Sequence, residues 1–169
     1  MDSCPGCGYA YDTDAAGLPA RLASFGPAYA DALRDRADRA VRARPGDGTW
    51  SALEYACHVR DVLLVQRDRV YDALVEDTPR TRPMHRDDRP ALARYNEQDP
   101  AVVVAQLAMA ADLIAGAFAV LEAAQLDRRL VYTYPAPVER SVLWLGQNAV
   151  HEAHHHLQDV HAVLATAGG

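Results

Sequence analysis

Apolar residues fall into four long stretches separated by breaks rich in proline and glycine. From about Leu18 to Arg44 the chain is rich in Ala, Leu and Arg, with Asp31, Arg34, Asp35 and Asp38 at helical spacing. This predicts a first helix with one solvated face. Pro45-Gly46-Asp47-Gly48 ends it, because neither residue type sustains a helix there. In Trp50-Ser51-Ala52-Leu53-Glu54-Tyr55, Ser51 can cap a second helix, Glu54 can complete the capping box, and Trp50 and Tyr55 occupy the positions of a hydrophobic staple. That helix should run to about Glu76. Pro79, Pro83 and Pro90 then mark a long irregular connection of the kind that often serves as a lid or binding segment. Pro100 suits the first turn of a third helix, and Ala101 to Ala124 keeps helical composition despite Val102-Val103-Val104. Val131 to Tyr134, bounded by Pro135 and Pro137, reads as extended or loop. Ser141 can cap a last helix ending near Gly168, along which Leu143, Val150, Leu157 and Leu164 recur every seven residues. The expected fold is all-α, a four-helix bundle over residues 18–169 with a short N-terminal segment, residues 1–17, in front of it.

A chain of 169 residues suits one domain with a short appendage. Lysine is absent, all 17 basic residues are arginine, isoleucine occurs once and alanine is abundant, the bias of a GC-rich genome such as an actinobacterial one. The net charge of −6 opposes attraction to nucleic acid or an anionic membrane. No apolar run reaches the ~20 residues of a membrane span, and Met1-Asp2-Ser3-Cys4 lacks signal-peptide character. A cytoplasmic protein acting on a small molecule is therefore expected. Cys4, Cys7 and Cys57 are too few and too unevenly spread for a disulfide framework, so they are expected as thiols or metal ligands.

Five of the seven histidines crowd into residues 151–161, and His151 and His155 stand one helical turn apart, where two imidazoles can close on one metal ion. His58 is the best third ligand, since Val62 and Val65 share its face and suggest that it points inward. Taken singly, His58 reads equally well as a hydrogen-bonded histidine with no metal. Three histidines would leave coordination positions open, the arrangement of a catalytic rather than a structural site.

Trp50-Ser51-Ala52-Leu53-Glu54 leading to His58-Val59-Arg60-Asp61, together with His151-x-x-His154-His155-x-x-Gln158 in the last helix, resembles the DinB-like superfamily of metal-binding four-helix bundles, also called the DinB/YfiT-like fold. The resemblance covers roughly residues 18 to 166. It implies a divalent metal, commonly zinc or nickel, with the family's three ligands falling on His58, His151 and His155. Better understood relatives are thiol-dependent transferases and isomerases, some using mycothiol or bacillithiol. The actinobacterial composition favours mycothiol as co-substrate, by analogy only.

His154 lies about 60° from His151 around the helix, either contacting substrate or simply half-exposed. His156 is expected to be solvated and His161 structural. Asp61 and Gln158 sit one turn from the expected ligands, and each either orients an imidazole or forms a surface ion pair or hydrogen bond. Glu54 has its capping role, and Tyr132 and Tyr134 either line the site mouth or cover the bundle. Cys4-Pro5-Gly6-Cys7-Gly8 has the form of one zinc-ribbon knuckle without a second CxxC. It is either half a site completed by His85, Cys57 or a second subunit of a homodimer, or a redox dithiol, or a tail that binds nothing. The leading expectation is a metal-dependent enzyme that activates a mycothiol-like thiol for S-transfer to an electrophile. The alternatives are a metal-dependent hydrolase that activates water, and a non-catalytic metal- or redox-sensing module. No Ser-His-Asp triad, phosphate loop or dinucleotide fingerprint offers another enzyme class.

Overall fold

In the computed structural model, which describes residues 3–167, the chain forms helices α1 (Leu18–Ala23), α2 (Phe25–Leu33), α3 (Asp38–Arg42), α4 (Ala52–Val75), α5 (Arg89–Leu92), α6 (Pro100–Ala119), α7 (Ala123–Leu126) and α8 (Val142–Ala167). A short antiparallel hairpin, β1 (Arg129–Tyr132) and β2 (Val138–Ser141), precedes α8 and pairs Leu130 with Arg140. Gly168, where the sequence pattern ends the last helix, lies outside the described residues.

Four rods make the bundle: α1 with α2, α4, α6 and α8. α4 packs against α6 and α8, and α1 and α2 pack against the same two helices from the opposite side. α4 and α8 are therefore neighbours, which brings His58 and the histidine-rich turns to one seam. The buried core includes Leu18, Leu22, Tyr29, Leu53, Leu63, Leu107, Ile114 and Leu145. Tyr29 is fully buried, and its hydroxyl donates to the Ala153 carbonyl at 3.0 Å, satisfying the polar end of a core side chain.

The second helix begins as its sequence dictates. The Glu54 amide donates to Ser51 Oγ at 3.2 Å and the Ser51 amide donates to Glu54 Oε2 at 2.9 Å, a complete capping box. A cap of this kind contributes about 1 kcal/mol. Arg44 binds the other side of the Glu54 carboxylate, and the Trp50 and Tyr55 rings sit 5.4 Å apart as the staple. Ser141 likewise caps α8, accepting from the Trp144 amide at 3.1 Å.

Three expectations need correction. The first predicted helix is not continuous. Pro27 has no amide hydrogen to complete the ladder, so the rod bends between α1 and α2, and Asp35 at φ 55° separates α2 from α3. Second, α6 is a 20-residue helix with a window of mean hydropathy 1.9, long and apolar enough to cross a membrane by length and composition. Its contacts with α1, α2 and α4 make it a core helix of the bundle, with Val103, Leu107, Ala111, Ile114 and Phe118 buried. The third helix also ends at Ala119, earlier than Ala124, where the Val120 turn leads into the separate α7.

The long connection between α4 and α6 is held at both ends. Next to β1, the Thr81 amide donates to the Val131 carbonyl at 3.0 Å and the Val131 amide to the Pro79 carbonyl at 2.8 Å. Further along, Asp61 accepts from Tyr95 Oη at 2.6 Å, Arg60 Nε at 2.8 Å and Arg89 at 3.0 Å. Between these anchors, residues Pro83 to Asp88 form one wall of a cavity over the α4–α8 seam.

Candidate metal centre

The phase of α8 decides which histidines face the bundle. Val142, Leu145, Ala149, Val150, Ala153, Val160, Val163 and Leu164 are buried and define its inward face. At roughly 100° per residue, Glu152 and His156 fall at the edge of that face, while His151 lies roughly 160° from Ala153. On α4, His58, Val62, Gln66 and Arg69 follow one another at helical spacing and line the cavity, which encloses about 300 Å³.

His58 on α4 and Glu152 on α8 line the cavity, and His156 on α8 meets them behind its wall. Glu152 Oε2 stands 4.0 Å from His58 Nε2 and 3.7 Å from His156 Nε2, and the three donor atoms lie within 4.8 Å of one another. His58 is only 3% exposed, and its Nδ1 has no hydrogen-bond partner. Trp50 flanks the His58 ring at 5.1 Å, and Tyr55 stacks on His156 at 5.3 Å, so aromatic packing holds both imidazoles. Behind His156, Asp159 Oδ2 contacts Nδ1 at 2.8 Å, the carboxylate-to-imidazole contact that fixes the ring of a metal-ligating histidine.

The protonation states of His58 and Glu152 suit a cation site, and His156 joins them on losing a proton. Burial, with help from His156, pushes the His58 imidazole down to about 4, so it is neutral with a free lone pair. Burial raises Glu152, but the flanking His151 and His156 imidazoles more than offset this and hold its carboxyl well below the usual carboxylate range. Burial lowers His156, yet Asp159 and Glu152 outweigh it and bring that imidazole to about 8. A half-buried carboxylate and two imidazoles, one with an orphaned nitrogen, form a donor set that fits a divalent metal with open positions.

The residues expected from sequence are divided differently. His58 does not cluster with His151 and His155. Those two face Cys4 and Cys7 of the N-terminal knuckle, and all four ligand atoms lie within 4.8 Å of one another. His156, expected in solvent, has a side chain only 16% exposed and faces His58. The physical reason is the inward phase of α8, which turns positions 152 and 156 towards α4 and leaves 151 and 155 for whatever covers the helix from outside. Glu152 went unremarked in the sequence, although Glu152-x-x-x-His156 has the same one-turn spacing as the pair that was noticed.

Asp61 does not reach an imidazole; Tyr95, Arg60 and Arg89 take up its carboxylate. Gln158 is exposed and contacts His154 at 3.0 Å, and His154 lies beside Tyr9 rather than in the cavity. His85 is exposed on the cavity rim, and Cys57 is fully buried against the Tyr95 carbonyl, so neither completes the Cys4–Cys7 pair. Tyr132 and Tyr134 do line the cavity, and Arg86 lies over the Tyr134 ring at 4.6 Å near its mouth.

The sequence pattern of the DinB superfamily matches residues 26–160. The chain belongs to this superfamily. No curated protein matches it. Among solved structures it is similar to YfiT from Bacillus subtilis, described as a probable metal-dependent hydrolase with an unusual four-helix bundle topology. The two share 18% identity with a TM-score of 0.83, over 99% of this chain and 95% of YfiT. At that identity the likeness is one of fold. The DinB-like four-helix bundle expected from Trp50 to Asp61 and from the α8 histidines is therefore the fold of this chain.

Proposed function

We propose that this DinB superfamily member is a metal-dependent enzyme whose ion sits among His58, Glu152 and His156, and that it joins a low-molecular-weight thiol of the mycothiol kind to a small electrophile. One observation carries the reading: His58 and Glu152 line a cavity of about 300 Å³, a size for small molecules, and cluster there with His156 just behind the lining. A divalent ion held there lowers the pKa of a thiol or water brought to its open positions and supplies charge stabilisation.

The chain's own residues do the rest. His58, Glu152 and His156 present two neutral donors and one anionic donor once His156 has lost its proton, and Asp159 keeps the His156 ring in place. Val62 and Met84 give the cavity apolar walls that limit water, which strengthens electrostatic interactions inside. Arg69 and Arg86 add positive charge along the cavity and favour a substrate carrying a negative group. In the proposed reaction the thiol proton passes to water, the sulfur forms a bond to the electrophilic carbon, and the displaced bond's electrons leave with the departing group.

Hydrolysis is the second reading, and the description of YfiT favours it. A single comparison separates the two. With metal present, consumption of an electrophile panel should depend on added mycothiol, and His58→Ala should remove the excess rate. Metal-dependent cleavage of an ester or amide that ignores thiol would assign the site to hydrolysis instead.

A further inference from the structure

The N-terminal knuckle brings Cys4 and Cys7 to His151 and His155, none of which lines the cavity. Cys4 and Cys7 lie on a tight turn in which the Gly8 amide donates to the Cys4 carbonyl at 2.8 Å and the Cys4 amide donates to the Tyr9 carbonyl at 2.9 Å. The turn is seated on the outer face of α8. A Cβ built on Gly6 would stand 3.0 Å from His155 Cε1 and 3.8 Å from Cys4 Sγ, so the turn lies close against the His155 ring and a larger residue would push on it. Tyr11 stacks on Trp144, with ring centroids 6.1 Å apart, and its hydroxyl donates to Asn148 at 3.4 Å; Gln147 Nε2 donates to the Thr13 carbonyl at 2.9 Å. The segment is thus docked along three turns of the helix.

Four soft donors meet where it docks. Cys4 Sγ is 3.8 Å from His155 Nδ1, and the ligand atoms of Cys4, Cys7, His151 and His155 are all within 4.8 Å of one another. Tetrahedral zinc, with bonds of about 2.3 Å to sulfur and 2.0–2.1 Å to nitrogen, places its ligand atoms roughly 3.3–3.8 Å apart. His151 gives an independent sign: its Nδ1 lies 3.5 Å from Glu152 Oε1, but its Nε2 is buried without a hydrogen-bond partner among the described residues, an arrangement costly for an imidazole unless something binds it. Behind the site, Asp159 Oδ2 lies 3.7 Å from His155 Nε2 and places a negative charge beside that imidazole. Two thiolates and two imidazoles leave no open position and select zinc over magnesium or calcium.

We infer that Cys4, Cys7, His151 and His155 form a closed structural zinc site that clips the N-terminal segment onto α8, with a ligand set distinct from that of the open site at His58, Glu152 and His156. The two sites are neighbours on α8: Asp159 Oδ2 contacts His156 Nδ1 at 2.8 Å and lies 3.7 Å from His155 Nε2, and Glu152 Oε1 lies 3.5 Å from His151 Nδ1.

Full-length protein loaded with zinc and desalted should retain about two equivalents by elemental analysis, and Cys4→Ser with Cys7→Ser should retain about one. Substituted with cobalt, the protein should show an intense thiolate-to-cobalt charge-transfer band. That band should persist in His58→Ala, vanish in the double serine variant, and strengthen in His155→Cys, which keeps a four-ligand set and guards against mere misfolding. Loss of an equivalent in His58→Ala with the band intact concerns the open site alone. Absence of the band from the wild type, metal content indifferent to both cysteines, or a Cys4–Cys7 disulfide in protein handled under reducing conditions would overturn the inference.

Discussion

His156→Ala is expected to abolish metal-dependent turnover and to weaken metal binding in the cavity by at least about 100-fold, since losing even an outer partner of a ligand costs 10–100-fold. The residue is placed between Glu152 Oε2 at 3.7 Å and Asp159 Oδ2 at 2.8 Å, so its removal deletes one donor and leaves two carboxylates without their shared partner. His161→Ala is the matched control, because His161 is exposed on the same helix and belongs to none of the clusters. It should change neither quantity by more than about two-fold, the scale of an ordinary surface substitution. Titration of each variant with zinc, followed by turnover measurements at saturating metal, separates lost affinity from lost chemistry. Equal behaviour of the two variants would remove His156 from the site.

Asp61→Asn is expected to destabilise the fold by about 3 kcal/mol, because removing the charge from a buried pair strands its cationic partners. The Asp61 side chain is 13% exposed and Arg60 11%, whereas Arg89 is 36% exposed and screened by solvent, which puts the effect at the lower end for such pairs. Burial raises the Asp61 carboxyl, but the bonds from Tyr95, Arg60 and Arg89 outweigh it and leave it below its ordinary value. Its contribution is therefore complete above the unfolded pKa of about 3.9 and is lost as pH falls through the lower folded value. Urea denaturation should show the variant weaker at neutral pH, with the gap closing in acid. A gap that is absent at neutral pH, or that widens in acid, would contradict the assignment. The same substitution should loosen the Arg89 to Tyr95 stretch that steadies the cavity wall, visible as faster amide exchange there.

Local chemistry made some elements readable from sequence. The start of α4 rests on a capping box and a staple within six consecutive residues, and both form as written. Pro100 and Ser141 mark the starts of α6 and α8 for the same reason: initiation depends on neighbours in the chain. The bend at Pro27 was also written locally, but the continuous run of Ala and Leu around it concealed the break.

The metal centre was half legible. One-turn spacing identifies pairs of residues that share a helix face, but not which pair faces inward. Glu152 with His156 and His151 with His155 satisfy the rule equally. The arbiter is the apolar phase of the whole helix, carried by Leu145, Ala149, Ala153, Val160 and Val163 together with Val150 and Leu164, only two of the four heptad positions. Of that heptad, Leu143 and Leu157 are only partly buried. Completion of the cysteine pair was illegible for a different reason. Cys4 and His155 are separated by 151 positions, and only the docking of Tyr11 and Gln147 against opposite elements brings them together.

The most direct measurement is anomalous diffraction at the zinc edge from crystals of zinc-loaded protein, comparing the wild type with His58→Ala. The account predicts a peak bounded by His58, Glu152 and His156 that disappears in the variant, while a separate peak at the N-terminal knuckle remains. A peak shared by His58, His151 and His155, or no density beside His58 at full zinc loading, would contradict it.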